Sequence, residues 1–563
     1  MSRIRVRDIV RVVALLALMC IPLSGVNAAA PRYVNVQVLA LNDFHGNLEA
    51  SSGLTVTLPD GTRVPAGGVA YLATHLRNLE AANPNTIIVS AGDLIGASPL
   101  VSALFHDEPT IEAFNLIGLD LNAVGNHEFD EGAQELLRMQ FGGCHPTDGC
   151  LDGDPFPGAD FRFLAANVVV ADRGQPIFTP YVIRSFSGVR VAFIGMTLKG
   201  TPTIVTPSGV AGLEFLDEVE TVNALVPEIR AKGVQAIVVL MHEGGTQGGG
   251  STINSCVGLS GPVVPIVEGF DDEIDVVVSG HTHQAYNCQI DGKLVTSTNA
   301  FGRLVTKIDL TVDRYTGEVT AKTADNRIVT RTVPAAADLA AWVQKYVTLA
   351  APLANRIVGT ITGDITRTNN AAGESALGDV IADSQLLATA DPGFGEAVVA
   401  FMNPGGIRAD LVYAQSSGGE LPGQVTYNEI FTVQPFGNSL VTLSLTGAQI
   451  DTLLEQQFDN PSVGQSRILQ VSQGFSYSWS ASAPTGSKVD AASILLNGAP
   501  IDPNAVYRVT VNNFLADGGD NFTVLKQGTD RLGGAQDLDA VEVYFAANSP
   551  VAPGAQNRIT RLP

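Results

Sequence analysis

The sequence predicts an α/β fold, and three observations carry that expectation. Apolar runs alternate with amphipathic helical patterns across residues 31–330. Five of those runs (VQVLAL, TIIVSA, LNAV, AIVVLM and IDVVVS) have the length and apolar content of buried strands and end at small or turn residues. A short island of ligand-type residues follows each run, where loops at the carboxyl ends of adjacent strands converge. The composition agrees: 563 residues, 45% hydrophobic, is ample for a packed core in two or more domains. A formal charge of −23 argues against a broad basic surface, and so against a nucleic-acid polymer as partner.

The N-terminus reads as an export signal over residues 1–28. Arg3, Arg5, Arg7 and Arg11 precede an apolar stretch, Val12 to Leu23, that is too short to favour a spanning helix, and Val26-Asn27-Ala28 resembles a cleavage end. Cys20 raises a lipoprotein reading, which Met19 before it fits poorly. The expected location is periplasmic or secreted, with no stable membrane anchor. Cys144, Cys150, Cys256 and Cys288 remain, an even number that suggests two disulfides. Proximity favours Cys144–Cys150, leaving Cys256–Cys288; a zinc knuckle fits the spacing poorly.

Residues 31–333 form the first expected domain. The islands are Asn42-Asp43-Phe44-His45-Gly46, Gly92-Asp93, Gly125-Asn126-His127-Glu128-Phe129-Asp130, Met241-His242-Glu243 and Gly280-His281-Thr282-His283. Asp43 and His45 alternate, so an extended backbone would project both to one face. Amphipathic helices are expected at Ala70–Ala82 and Val219–Lys232, and antiparallel hairpins at Gln284–Ile290, Leu294–Thr298, Leu304–Val312 and Glu318–Thr323. Residues 144–160 read as a surface loop, and the five glycines of 244–250 as a mobile segment beside His242. Residues 334–355, rich in alanine, form an expected helical linker. A second domain, 356–563, has helical patterns near Leu377–Thr389 and Gly447–Gln457 and strand patterns at Ala397–Met402, Ser493–Leu496 and Arg508–Asn512. A P-loop and a G-x-S-x-G nucleophile motif are both absent.

Imidazole, carboxylate and amide without thiolate suit zinc, manganese, iron or cobalt. Two such ions about 3.5–4 Å apart would clamp the attacking and leaving oxygens of a displacement at phosphorus. Asp130 lies where it would orient His127 and favour its charged form. Glu128 and Glu243 are expected to be solvated or supporting neighbours, and His75, His106 and His145 ordinary surface or core positions.

The ordered set NDFHG, GD, GNHEFD, H and GHTH resembles the calcineurin-like metallophosphoesterases. ESALGDVIAD (374–383), FMNPGGIR (401–408), VQPFGNSL (433–440) and NNFLADGGDNF (512–522) resemble the C-terminal domain of the 5′-nucleotidase / UDP-sugar hydrolase family. This likeness spans nearly the whole chain after the signal. It implies a four-layer αββα metallophosphoesterase sandwich, a helical linker and an α+β substrate-binding domain. It also implies two divalent metal ions, one held by Asp43, His45, Asp93 and His283, the other by Asp93, Asn126, His242 and His281. His127 and Asp130 would be the catalytic dyad. Asn403, Gly405, Gly406 and Arg408 would border the substrate, with Arg367 a further phosphate ligand. Phe436 and Phe514 would sandwich a base, and Asn438 and Asp520 would hydrogen-bond base or ribose. Family members vary at the last position of the GHxx motif, here His283. The implied partner is a nucleotide, and the implied reaction is hydrolysis of nucleoside 5′-monophosphates, with UDP-sugars and other nucleotides as further substrates. A 2′,3′-cyclic-nucleotide 2′-phosphodiesterase and a catalytically silent surface nucleotide-binding protein are the alternatives. The likeness implies that the second domain rotates, and residues 334–355 are the expected hinge.

Overall fold

The computed structural model describes residues 31–563, apart from Ser52, Thr206 and Ser417; the expected export signal lies outside the described residues. Two six-stranded sheets form the heart of the first domain. The first contains β1 (Tyr33–Leu41), β2 (Thr86–Ser90), β3 (Leu121–Ala123), β4 (Arg162–Leu164), β11 (Leu304–Asp313) and β12 (Val319–Ile328), in the order β12-β11-β1-β2-β3-β4. The second contains β5 (Tyr181–Phe186), β6 (Val189–Thr197), β7 (Ala236–His242), β8 (Val276–Ser279), β9 (Ala285–Ile290) and β10 (Lys293–Thr298), in the order β9-β10-β8-β7-β6-β5. β1 to β4 run parallel, as do β6, β7, β8 and β10.

The strand sequences explain the layering. Along β1, Val34, Val36, Val38 and Ala40 face the second sheet, whereas Leu39 and Leu41 join the helical layer on the other side. Strands buried on both faces need apolar residues at nearly every position, and β7 (AIVVLMH) has every residue buried. Helix α1 (Val69–Ala82) buries Val69, Leu72, Ala73 and Leu76 on one stripe. It packs over the first sheet beside α2 (Glu108–Ile117) and α3 (Ala133–Phe141). Helix α4 (Glu218–Ala231) and α5 (Val263–Gly269) cover the second sheet with Val222, Val226, Ile229 and Val267. Asp217 caps α4 by accepting from the Val219 and Glu220 N–H groups. The result is the expected four-layer αββα sandwich. The expected hairpins exist, but they divide between the sheets: β9–β10 edges the second, and β11–β12 edges the first. β10 also pairs in parallel with β8, which a hairpin reading does not supply.

Helix α6 (Ala337–Ala354) is fastened to the first domain. Leu339, Tyr346 and Ala350 enter its core, Arg77 pairs with Asp338 at 2.7 Å, and Lys345 pairs with Asp152 at 2.7 Å. The second domain centres on a five-stranded sheet, order β15-β13-β16-β14-β17, from β13 (Val399–Met402), β14 (Ser439–Thr446), β15 (Gln470–Val471), β16 (Val506–Asn512) and β17 (Thr529–Gln536). Helices α7 (Ala376–Thr389), α8 (Tyr427–Val433), α9 (Gly447–Glu455), α10 (Asn513–Ala516) and α11 (Asp537–Asn548) surround it. Capping boxes start two of them, Thr426/Glu429 for α8 and Thr446/Gln449 for α9. The strand expected at Ser493–Leu496 begins only at Leu495, because Asp490 caps a short 3-10 turn over Ala491–Ser493.

Cys144–Cys150 and Cys256–Cys288 are both bonded. The glycine-rich segment 244–250 is tied down rather than free: Gly248 N–H donates to Val257 at 2.7 Å and Thr246 N–H to Ser260 at 2.8 Å. The Cys256–Cys288 bond joins the partner stretch to the second sheet. Among the described residues, no helix is long and apolar enough to cross a membrane.

Candidate metal centre

All five islands meet at one end of the sandwich, where the tips of β1, β2 and β3 in one sheet face those of β7 and β8 in the other. The local backbone is not extended. Asp43, His45, Asp93, His281 and His283 all have φ between 48° and 69°, the left-handed region that few residues other than glycine adopt. This corrects the expectation for Asp43 and His45. β1 ends at Leu41, and two left-handed residues flank Phe44, which drops into the helical core against Phe114. The carboxylate and imidazole still reach the same cleft because the chain coils around that buried ring.

Two glycines make the crowding possible. A side chain at Gly125 would come within 2.2 Å of Asp93 Oδ1, and one at Gly92, with φ of 92°, within 2.7 Å of His242 Nδ1.

The donor groups form overlapping sets. Asp43, His45 and His283 bring ligand atoms within 4.8 Å of one another, as do Asp93, His242 and His281, and also His45, Asp93 and His127. His242 Nε2 lies 2.9 Å from Asp93 Oδ2, and His45 Nε2 lies 3.7 Å from the same oxygen, so Asp93 stands between the sets. His283 Nε2 is 3.1 Å from His45 Nε2 and 3.4 Å from Asp43 Oδ1. The back of each set is anchored. His45 Nδ1 meets the Gly96 carbonyl at 2.8 Å and His242 Nδ1 the Ala91 carbonyl at 2.8 Å, which directs both Nε2 atoms inward. The His281 N–H donates to both Asp43 oxygens at 3.0 Å.

These residues fit a divalent cation on their own evidence. Asn126 Oδ1 is buried with no hydrogen-bond partner, although such an atom is costly to leave unsatisfied. Asp43 and Asp93 are fully buried carboxylates whose ion-pair partners among the described residues are imidazoles, with no Lys or Arg beside them. Burial pushes His45 down to about 3 and His281 down to about 4, holding both neutral as ligands must be. Burial also opposes charge on His242, yet the surrounding carboxylates push it up to about 10. Two buried carboxylates, Asp43 and Asp93, thus face one cleft, where a bound cation would balance their charge.

Glu128 is not solvated. It is buried and accepts from the N–H groups of Asp93 at 3.0 Å, Leu94 at 2.8 Å and Gly125 at 2.6 Å, clamping two islands together. Burial first, then the nearby Asp93, raises it to about 7. Burial likewise raises Glu243, which accepts from Gly244 N–H at 2.8 Å, to about 7.

His127 N–H donates to Asp93 Oδ1 at 2.9 Å, and its Nδ1 lies 2.7 Å from Asp130 Oδ2. Burial disfavours charge on this ring, but Asp130 and Asp93 outweigh it and hold the imidazole above its ordinary value.

A cavity of about 190 Å³ opens beside these groups and is lined from both domains. Asn126, His127, Asp130, Ile204, Val205 and His281 form one side. The other side contains Asn403, Gly405, Gly406, Arg408, Phe436, Asn438 and Phe514, together with Arg467 and Asn512. Phe436 stacks over His127 with centroids 5.9 Å apart and planes 13° apart, and the Arg408 guanidinium lies 5.6 Å from the Phe436 centroid. Phe514 sits on α10, where a side chain on Gly519 would strike its ring at 2.4 Å. Asn512 caps that helix by accepting from Leu515 N–H, and its Nδ2 donates to Asn403 Oδ1 at 3.1 Å.

Two expected residues lie off the wall. Asp520 stands directly behind it: its carboxylate accepts from Asn403 Nδ2 at 2.9 Å and Arg467 Nη1 at 2.6 Å, both wall residues. Arg367 is exposed, and its Nη1 donates to the Ile407 carbonyl at 3.4 Å. Arg467, Ile204 and Val205 are wall residues that the sequence reading missed. Their segments carry no motif, so only the folded arrangement reveals them.

Comparison with known proteins agrees with this architecture. Residues 36–285 match the family model for calcineurin-like phosphoesterases, and residues 357–527 match that for the 5′-nucleotidase C-terminal domain. Endonuclease YhcR of Bacillus subtilis (strain 168) is 33% identical over 540 residues, covering 94% of this chain and 41% of its own length. Cell wall protein Lmo0130 of Listeria monocytogenes serovar 1/2a is 32% identical over 533 residues, covering 90% of this chain and 66% of its own. The chain thus spans less than two thirds of either relative. Among solved structures, a 5′-nucleotidase precursor from Thermus thermophilus superposes with a TM-score of 0.74 at 28% identity, covering 94% of this chain and 99% of that one. With both family models matched in order along the chain, and with donors and cavity walls on the corresponding two domains, the protein belongs to the family that joins a calcineurin-like phosphoesterase domain to a 5′-nucleotidase C-terminal domain.

Proposed function

We propose that this chain is an exported, metal-dependent 5′-nucleotidase that cleaves nucleoside 5′-monophosphates to nucleoside and phosphate. One observation carries the reading. A donor cluster where a cation would balance two buried carboxylates and a cavity offering Phe436, Phe514 and Arg408 face each other across the domain boundary. A nucleotide is the ligand that presents a phosphate to one side and a flat base to the other.

Asp43, His45, Asp93 and His283 would hold one divalent ion. Asp93, Asn126, His242 and His281 would hold a second, with Asp93 shared. When bound, the two ions supply Lewis-acid stabilisation of the phosphoryl oxygens and activation of a water nucleophile at neutral pH. His127, whose charged form Asp130 favours, would direct Nε2–H toward the phosphoryl or leaving oxygen, where it would stabilise negative charge and donate a proton. Arg408 offers a forked guanidinium to phosphate oxygens from the opposite wall. Phe436 and Phe514 stack on the base and exclude water, with Asn438 near its edge. Asp520 acts through Asn403 and Arg467, whose side chains it positions, and Arg367 supplies positive potential behind Arg408. Any rotation of the second domain would pivot at Asn355–Arg356, after α6, because the helix itself is fixed to the first domain. The two disulfides support export.

The relative described as an endonuclease favours a second reading, in which phosphodiesters, including 2′,3′-cyclic nucleotides, are also cleaved. Phosphate release from AMP, UDP-glucose and cyclic nucleotides, with and without chelator, separates these. Chelator-sensitive release from AMP is the expected result. Activity on phosphodiesters alone would replace the first reading with the second. No activity after metal is restored would indicate a silent binding protein.

A further inference from the structure

The imidazoles of the metal centre are not all held in the same way. His45 and His242 are fixed through Nδ1 by main-chain carbonyls. Among the described residues, no hydrogen bond ties a ring nitrogen of His281 or His283 to a group outside the donor sets. His283 meets only His45, Asp43 and the ring of Phe301. The direction of these two side chains therefore comes from the main chain of the Gly280–His283 turn. His281 and His283 there have φ of 69° and 54°. Such left-handed residues persist only where the surroundings fix them.

The surroundings are the segment 244–262, between β7 and α5, which supplies no ligand of its own. Gly244 lies flat against the turn: a side chain on it would come within 2.3 Å of the Gly280 carbonyl oxygen and 2.4 Å of Thr282 Oγ1. Thr282, between the two histidines, donates from Oγ1 to the Gly245 carbonyl at 2.9 Å. Gln247 then reaches the strand that leaves the turn. Its Nε2 donates to the Ala285 carbonyl at 2.6 Å, and its Oε1 accepts from Val257 N–H at 2.9 Å. Further along, Asn287 N–H donates to the Ser255 carbonyl at 3.2 Å, and Cys256 is bonded to Cys288. The segment thus grips β9 just beyond His283 and the turn itself at Thr282. A stretch so rich in glycine loses much conformational freedom when ordered. The covalent link to β9 holds it in place against that loss.

We propose that the 244–262 segment, locked to β9 by the Cys256–Cys288 bond, is a positioning device for the metal centre. It keeps the His281–His283 turn left-handed through the Thr282–Gly245 contact, so affinity for the divalent ions depends on a disulfide that supplies no ligand. The inference rests on reading the islands as a metal centre. Thr282 and Gln247 are positioning residues, acting on the ligands through the main chain. With the bond open, His45 and His242 keep their anchors, whereas His281 and His283 lose theirs.

Metal-free full-length protein is titrated with Mn²⁺, and the free ion is read from its EPR signal. Compared with wild type, Cys256→Ser/Cys288→Ser and Thr282→Val each bind roughly 10- to 100-fold more weakly, the usual cost of removing a support behind a ligand. Thr282→Ser, which keeps the hydroxyl, and Cys144→Ser/Cys150→Ser, which opens the other disulfide, bind as wild type does. Excess Mn²⁺ restores AMP turnover in the two weakened variants, because every ligand is still present. Thr282 is half-buried and its replacement leaves both disulfides intact, so a loss there does not stem from an unfolded chain. Wild-type affinity in either Cys256→Ser/Cys288→Ser or Thr282→Val overturns the proposal and leaves the metal centre standing. Absence of Mn²⁺ binding in the wild type removes both.

Discussion

The two walls of the cleft differ in how they hold their groups. On the first domain, Asp43, His45, Asp93, His281 and His283 sit at strand tips in left-handed conformations, all the donors are buried except the partly exposed His281 and His283, and His45, His242 and His127 each have Nδ1 tied to a carbonyl or carboxylate. On the second domain, Phe436 and Arg408 are partly exposed, and Phe514 rides on a four-residue helix capped by Asn512. One wall is rigid because a metal set tolerates little displacement. The other is adaptable because a stacking surface accepts many orientations. The rigid wall should therefore fail completely when cut, and the adaptable one by degrees.

The largest effect is expected at Asp93. Asp93→Asn should release bound metal and reduce phosphate release to background, measured together by metal content and AMP turnover. Retention of a full metal complement would show that Asp93 does not join the two donor sets. His127→Ala should reduce turnover by roughly 10²–10⁴ while leaving metal content unchanged. Loss of metal there would move His127 from proton donor to ligand.

On the other wall, Phe436→Ala should raise KM for AMP more than it lowers kcat. Base stacking is worth about 1–3 kcal/mol, which corresponds to roughly 5- to 150-fold. Hydrolysis of p-nitrophenyl phosphate, which has no base, should change less. An equal loss on both substrates would assign Phe436 to packing against His127 instead.

The smallest effect concerns the anchor of α6. Arg77 and Asp338 have side chains 38% and 50% exposed, so solvent screening limits their pair to about 0.2–0.5 kcal/mol. The hydrogen bond from Arg77 holds Asp338 down to about 2. A depressed carboxylate stabilises above its ordinary range and loses that contribution as pH falls toward 2. Asp338→Asn should thus lower Tm slightly at neutral pH and progressively less below pH 4. A pH-independent difference would show that another contact, such as Lys345–Asp152, sets the anchor.

The rigid wall was legible in the sequence because imidazoles, carboxylates and glycines clustered at strand ends are rare unless chemistry requires them. Gly125 and Gly92 are examples, since any side chain there would strike the donors. The adaptable wall was legible only through its likeness to a family. Phe436 and Phe514 match core residues in type, and Arg467, Ile204 and Val205 carry no local signal at all. Asp520 came from the same likeness, and the structure adds what sequence did not show: its carboxylate accepts from Asn403 and Arg467, two residues of the cavity wall. Elements with clear periodicity, such as α1 and α4, emerged within a residue of expectation. The assignment of hairpins to different sheets did not, because strand pairing depends on contacts that no short window contains.

The most direct test is anomalous diffraction from crystals soaked with Mn²⁺ and a non-hydrolysable AMP analogue. The account predicts two manganese peaks on either side of the Asp93 carboxylate and a base lying between Phe436 and Phe514. Peaks away from Asp43, Asp93, Asn126 and His281, or a base bound outside the Phe436–Phe514 gap, would contradict it.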